Sequence, residues 1–390
     1  MSEWLAERGH QVTFINSSFF HQKRLQRFDL TTTLSISENF TVVCLRSRSY
    51  SGSISFGRVL SHRDAARSFR EWLETADCLP DIIIASYPVV ELCEEAVFFA
   101  KNKKVPVVID CRDFWPDIFS ELLPASLRWL SGAFFWLANQ RANKALASAS
   151  VICSHTASGL RWGLTRANRT SHDYDFSFPF TYPEKKSCSV KVRNPAQSKL
   201  LTICFLGTLS HRSGLEKYIC ALGKLSPDRK RRIKLLIGGV GPQMQELQAL
   251  AKKNGAPVEF LGWLDQDGMI ELMERSNLGL LPYDRSDFHM SIPNKFAEYL
   301  ANGLPILSCT KGEVETFLKK HRVGILSGEN TAEIVELLGA LIEGDPKFDP
   351  DYIIRVYEQL FSADTVFSYL EKQLVQIVSN RDEIEAMKRK

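Results

Sequence analysis

The stretch LGLLPYDRSDFHMSIPNKFAEYLANGLPILSC, residues 278–309, reads as strand, loop, helix, tight turn and strand. Residues 278–281 are a short apolar run that Pro282 ends. SIPNK then opens a helix carrying Phe296, Ala297, Tyr299 and Leu300, and Gly303 sits just past its end, where a left-handed residue stops a helix. Residues 304–309 are a second apolar run, so the unit is a compact strand–helix–strand crossover between parallel strands. Its distinctive chemistry lies at the helix start. Lys295 and Glu298, three apart, are neighbours on the helix surface, at an end whose free N–H groups attract phosphate. A carboxylate beside a phosphate site serves to grip hydroxyls, such as those of a ribose. The blander reading is a surface pair worth about a few tenths of a kcal/mol.

Outward from this unit the alternation continues. Strands are predicted at 201–207, 233–239, 258–261, 278–281, 304–309 and 323–327. Helices fall between them at about 214–225, 241–254, 266–275, 294–302 and 313–320. Strict strand–helix alternation is the doubly wound pattern. In FLGTLSHRSGLEKY (205–218), Gly207 closes the strand and Gly214 turns the chain into a helix, with His211 and Arg212 between them in reach of a diphosphate. IGGVGPQMQEL (237–247) repeats the logic, with Gly239 and Gly241 letting backbone approach a ligand. GENTAEIVELLGALIEGD (328–345) is a helix capped by Asn330 or Thr331, and 352–378 is helical.

The first half is less regular. SEWLAERGHQVTFIN (2–16) reads as a helix end, a stop at Gly9 and a strand at 12–15. Within 17–63 only the strand at 40–45 is distinct, and SRSYSGSISFGR (47–58) has the composition of a mobile loop. PDIIIASYP (80–88) and VPVVID (105–110) are buried-strand patterns around a helix at 91–101. CRDFWPDIF (111–119) follows at the carboxyl end of the second strand, where open α/β sheets collect ligands. Asp110, Arg112, Asp113 and Asp117 cluster there, and a carboxylate such as Asp113 can orient or deprotonate an acceptor hydroxyl. The plainer alternative has Asp113 capping the next helix and pairing with Arg112. Residues 119–147 are unusually apolar for a surface helix, which fits either core packing or a helix lying in a bilayer interface. The basic runs at 101–104 and 228–234 suit anionic lipid, although charge runs are commonly just solvated. Residues 150–155 read as a strand ending this half, with room for one more before 182.

Composition sets the outer bounds. At 390 residues, 44% hydrophobic and 24% charged, the chain suits two ordinary folded domains. A formal charge of +4 gives no argument for nucleic acid. The nine cysteines are single and odd in number, which argues against a disulfide scaffold or a zinc site and for a reducing cytoplasm. Acidic and basic residues interrupt the start, so no signal peptide is read there, and no run of about 18 apolar residues suggests a span.

Three separated stretches, RGHQVTFI (8–15), RDFWPD (112–117) and SIPNKFAEYLANG (291–303) within 201–327, resemble the retaining glycosyltransferases of family 4. The resemblance implies an α/β fold of the GT-B architecture: two Rossmann-like doubly wound domains facing across a cleft. The expected division is an acceptor-side domain at 1–185, a linker at 186–199, a nucleotide-sugar domain at 200–348, and helices at 349–390 crossing back to the first domain. In the family the stretch matching 8–15 follows a central strand, a glycine-containing loop and most of a helix, so the first domain is expected to lack its first strand. The family's signature helix carries two glutamates eight positions apart. The second, which grips the ribose, matches Glu298, whereas the first position is Met290.

On the same resemblance, Asp113, Arg212 and Lys295 are the expected catalytic residues. Gly207, Arg212, Gly239, Gly241, Lys295 and Glu298 are expected to hold the donor, with its base near Gly262 and Trp263. The donor is expected to be a UDP-sugar, with no further cofactor and, in the absence of a DxD-type loop, no metal. The acceptor would be a glycan or a polyprenyl-linked glycan of bacterial capsule or lipopolysaccharide synthesis. The protein would be cytoplasmic, peripheral at the inner face of the plasma membrane through 119–147, with no nucleic acid partner. Reaction with retention would proceed by front-face attack within a short-lived ion pair, without an enzyme nucleophile. Two rivals come from other classes: an inactive truncated remnant, and a nucleotide-sugar epimerase.

Overall fold

A computed structural model describes residues 1–21, 23–51, 55–76, 78–117, 135–182, 200–284, 288–344 and 347–387. The linker expected at 186–199, and 119–134 of the apolar stretch, lie outside the described residues. The chain divides into two compact units, one of Met1–Phe178 with Phe367–Lys390 and the other of Pro179–Val366.

The first unit contains β1 (Val12–Ser17), β2 (Phe19–Phe20), β3 (Leu25–Gln26), β4 (Thr32–Ser37), β5 (Phe40–Leu45), β6 (Ile83–Tyr87), β7 (Val107–Cys111), β8 (Val151–Ser154) and β9 (Phe176–Ser177). They form sheets of order β1-β5-β4 and β6-β7-β8-β9, besides the β2-β3 pair. β1 runs parallel to β5, and β4 folds back antiparallel on β5. The four strands β6 to β9 are all parallel. Among the described residues no strand pairs with the outer edge of β1 or of β6. Both larger sheets nevertheless feed one core, in which Val43 and Leu45 of β5 pack with Tyr87, Ile109 and Ile152.

Two features here depart from the sequence reading. β4, in TTTLSIS, is a strand absent from the sequence reading: Leu34 and Ile36 alternate with serines, but the stretch is short and its apolar residues stay exposed on an edge. The loop expected at 47–58 ends early, since the Phe56–Thr75 helix starts inside it. Ser55 is the physical reason: its hydroxyl accepts the Arg58 N–H at 3.2 Å and caps the helix.

The second unit contains β10 (Leu201–Leu206), β11 (Ile233–Gly238), β12 (Val258–Gly262), β13 (Leu278–Leu281), β14 (Ile306–Ser308) and β15 (Gly324–Leu326). All six pair in parallel in the order β12-β11-β10-β13-β14-β15. Read by chain position this is 3-2-1-4-5-6, the Rossmann order, with its switch point between β10 and β13. Both faces of the sheet are covered. Leu201, Ile203 and Phe205 of β10 enter one core, whereas Cys204 and Leu206 enter the other. That two-sided burial is why these strands read as continuous apolar runs.

Candidate functional site

The switch point of the second unit is assembled by loop-to-loop contact. The loop after β10 bonds to the loop after β11, with Leu209 N–H donating to Val240 O at 3.1 Å and Gln243 N–H to Leu209 O at 3.1 Å. Gly239 has φ +142°, and a Cβ on it would stand 1.9 Å from the Gly207 carbonyl oxygen. Gly241 lies as tightly against the Leu209 carbonyl. These glycines thus first allow one loop to approach another, a use the sequence reading assigned to ligand approach alone. Gly214, at φ +67°, presses the same way on Pro282 after β13, which closes the two sides of the switch point on one another.

Arg212 projects from this loop with its guanidinium carbon 5.1 Å over the Phe288 ring. Phe288 in turn stacks on Tyr283 at 4.5 Å and 17°, so the exposed arginine is carried on an aromatic platform. Burial pushes the Tyr283 phenol up to about 12. The neighbouring Ser213 hydroxyl is buried without a hydrogen-bond partner.

The Asn294–Ala301 helix brings Lys295 and Glu298 to the same unit. No side chain caps its first turn and no acid lies there, and of its leading N–H groups that of Phe296 donates to the Pro293 carbonyl at 2.9 Å. Lys295 Nζ is ion-paired with Glu298 Oε2 and lies 3.5 Å from Met269 Sδ. Glu298 is only 3% exposed, and its Oε1 has no hydrogen-bond partner. The pair therefore joins a partly exposed lysine to a buried carboxylate and is not the surface pair of the bland sequence reading. Its carboxylate presents one oxygen that is desolvated and unused, an unfavourable state unless a donor arrives. Tyr299 ties the helix to the sheet by accepting the Leu206 N–H at 3.1 Å. Tyr182 lies beside Glu298, and burial together with that carboxylate pushes its phenol up to about 12.

A second polar cluster occupies the carboxyl ends of β7 and β8 in the first unit. Asp110 is 3% exposed and takes the Arg112 Nε on Oδ2 at 2.5 Å, while its Oδ1 has no hydrogen-bond partner. Sequence reasoning offered Asp113 as the partner of Arg112; the structure pairs Arg112 with Asp110. Burial, against the pull of Arg112, raises the Asp110 carboxyl above its ordinary range. Arg112 also lies 4.6 Å over Phe178. His155 is buried and stacked on Phe114 at 5.9 Å, and burial, with Arg112 adding, lowers its imidazole to about 4. Asp117 is engaged by Arg166 and by Trp162 Nε1, and Asp113 is exposed. His155 was missed in the sequence, although its place at the carboxyl end of the strand read at 150–155 was the available signal.

The structure thus gathers Gly207, Arg212, Gly239, Gly241, Lys295 and Glu298 in the second unit and places Asp113 in the first. Within the apolar stretch, Trp136 and Leu137 are exposed whereas Ala142, Ala145 and Leu146 are buried. Among the described residues no helix is long and apolar enough to cross a membrane.

Residues 201–344 match the family model for glycosyl transferases group 1. No curated protein matches the chain in sequence. Solved structures resemble it over both units. WaaG, a glycosyltransferase involved in lipopolysaccharide biosynthesis, is 15% identical with a TM-score of 0.62, covering 96% of this chain and 92% of that one. The sucrose-phosphate synthase of Thermosynechococcus elongatus is 13% identical with a TM-score of 0.66, covering 99% and 92%. Anabaena HepE in complex with UDP-glucose is 15% identical with a TM-score of 0.59, covering 87% and 86%. At these identities the likeness establishes fold: the chain has the α/β GT-B fold of two Rossmann-like units.

Proposed function

We propose that this chain is a retaining glycosyltransferase of family 4 type, moving a sugar from a UDP-sugar to a glycan or polyprenyl-linked acceptor in cell-surface polysaccharide synthesis. The observation that carries the reading is the buried Glu298 paired with a partly exposed Lys295 at an uncapped helix start, with Glu298 Oε1 unpartnered. A ribose hydroxyl donated to that oxygen would complete its hydrogen bonding. A diphosphate at the helix start would draw Lys295 and Arg212, whose charge, with the N–H groups, stabilises the leaving group as the glycosidic bond breaks. The loops of Gly207, Gly239 and Gly241 offer backbone N–H groups to the same donor. Asp113, at a strand end in the other unit, would orient the acceptor hydroxyl. The group 1 match over 201–344 and the UDP complexes of HepE support a nucleotide-sugar donor, and WaaG supports a lipopolysaccharide setting. Docking at the inner face of the plasma membrane through 119–147 belongs to the same proposal, supported by the exposure of Trp136 and Leu137.

A nucleotide-binding relative without transferase activity is the second reading, favoured by Met290. It stands eight residues before Glu298, where the resemblance implies a glutamate touching the donor sugar. Thermal-shift titration with UDP, GDP and ADP tests the donor site, and turnover of UDP-glucose and UDP-galactose separates the readings. A shift with UDP that Glu298→Ala abolishes is expected. Silence with all three nucleotides sinks the proposal.

A further inference from the structure

The first unit contains a cavity of about 650 Å³ at the carboxyl end of β5, lined by Arg46, Arg48 and Arg67 together with Asp64, Gln26 and Ser49 among others. Ser47 of its lining is tied to Ser17, at the end of β1, by a hydroxyl–hydroxyl bond at 2.6 Å. Its wall is the Phe56–Thr75 helix, which supplies Asp64 and Arg67 one turn apart. Asp64 is committed: its carboxylate takes Arg48 Nε at 2.5 Å and Nη2 at 3.1 Å, and that bond holds it below the usual carboxylate range. Arg46 and Arg67 are exposed, and among the described residues neither guanidinium has an ion pair or hydrogen bond. Gln26 donates to Ser18 and Phe28, which leaves its buried Oε1 without a partner.

The lining carries three arginines and three carboxylates, Arg46, Arg48 and Arg67 with Asp29, Asp64 and Glu71, and Asp64 is taken by Arg48. The segment that builds it, residues 23–76, holds nine Lys and Arg (Lys23 and Arg24, 27, 46, 48, 58, 63, 67 and 70) against five acids (Asp29, Glu38, Asp64, Glu71, Glu74). All but one of these cations are arginines, whose planar fork suits two oxygens of one carboxylate or phosphate. Hydroxyls find partners here, because Gln26 Oε1 and the lining carboxylates Asp29 and Glu71 accept while Ser49 both donates and accepts.

We infer that this cavity binds a sugar carrying an oxyanion, with Arg46 and Arg67 on the anionic group and the Gln26 side on its hydroxyls. It would be the acceptor subsite of the transferase proposed above, and the inference rests on that reading for its role but not for its binding. The ligand class is an acidic sugar, whether its anion is the carboxylate of a uronic acid or a phosphate ester.

Isothermal titration of the full chain with glucuronic acid, glucose 6-phosphate and glucose tests this, with UDP titrated in parallel. At least one acidic sugar should bind, with affinity falling as salt is raised, and glucose should bind at least about tenfold more weakly. Each of Arg46→Gln and Arg67→Gln should cost about tenfold, the loss of one charged hydrogen bond. Both side chains are exposed, so an unchanged melting temperature will show the variants folded. Response to the uronate alone, the phosphate alone or both assigns the anion. Equal binding of all three sugars, no binding, or binding indifferent to both substitutions overturns the inference. If UDP binds and acidic sugars do not, the cavity assignment fails by itself; the reverse pattern retains the cavity and removes the transferase reading.

Discussion

The two units carry the same local device in different settings. At the Asn294–Ala301 helix, Glu298 is buried, gives one oxygen to Lys295 and leaves the other without a partner. At the end of β7, Asp110 is equally buried, gives one oxygen to Arg112 and leaves the other without a partner. The difference lies in what buries them. Glu298 and Lys295 are three apart on a helix beside an uncapped terminus, so an arriving ligand can meet both the cation and the unused oxygen. Asp110 is walled in by neighbouring strands, with the Cys153 thiol beside it and Phe178 under its arginine. A half-used buried carboxylate is therefore not by itself a ligand site; access and the adjoining uncapped helix start are what set the proposed donor site apart.

Removing the two acids should separate these settings. Asp110→Ala is expected to lower stability by about 3 kcal/mol, the lower end for breaking a buried pair because Arg112 retains some exposure. Urea denaturation measures it, and UDP affinity should not move. If nucleotide affinity falls as well, the contrast between the two carboxylates is wrong.

The next effect sharpens the first unit's side. His155 titrates near 4 when folded and near 6.5 ordinarily. Between those values the unfolded chain binds a proton that the folded chain refuses, so stability falls as pH drops from 6.5 to 4. The loss is at most about 3 kcal/mol, from the size of the shift. Asp110, raised by burial, acts in the opposite sense, so the comparison to make is wild type against His155→Gln. The histidine is expected to account for the acid-side slope that the variant lacks, and parallel pH curves would refute its buried neutral state.

In the second unit, Glu298→Ala should weaken UDP binding by about 1–3 kcal/mol, the cost of one charged hydrogen bond. Calorimetry that finds UDP affinity unchanged removes the ribose role. The smallest effect concerns Arg212. Exposed on its Phe288 platform, it should change stability by no more than about 0.5 kcal/mol on Arg212→Ala while lowering sugar-transfer turnover. A variant that unfolds instead shows that the loop, not the reaction, depends on it.

What was legible in the sequence followed from local rules. Six parallel strands and their helices in 201–327 came from apolar runs punctuated by glycine and proline, because two-sided burial leaves no polar alternation to confuse them. Gly303 and the Asn330 cap were likewise legible, since helix ends are fixed by neighbouring residues: Gly303 has φ +64°, and Asn330 accepts the Glu333 N–H at 3.0 Å. The Lys295–Glu298 pairing was legible as a spacing; its burial was not, because Phe296, Tyr299 and the strands they pack on create it.

The remainder was decided by the tertiary structure. Asp110 took Arg112, and His155 lost its proton affinity, because separate strands converge at one sheet end and exclude water there. Gly239 proved to be a contact between loops, which no reading of a single turn reveals. The first unit's cavity joins Arg46 after β5 to Arg67 on a helix, twenty-one positions apart in numbering and brought to one lining only once the sheet and helix pack. The sequence by itself determined the order of strands and helices and the chemistry available to each turn, since both depend on residues a few positions apart. The structure alone decided which of those groups are desolvated and what they meet, since burial is a property of the packed chain.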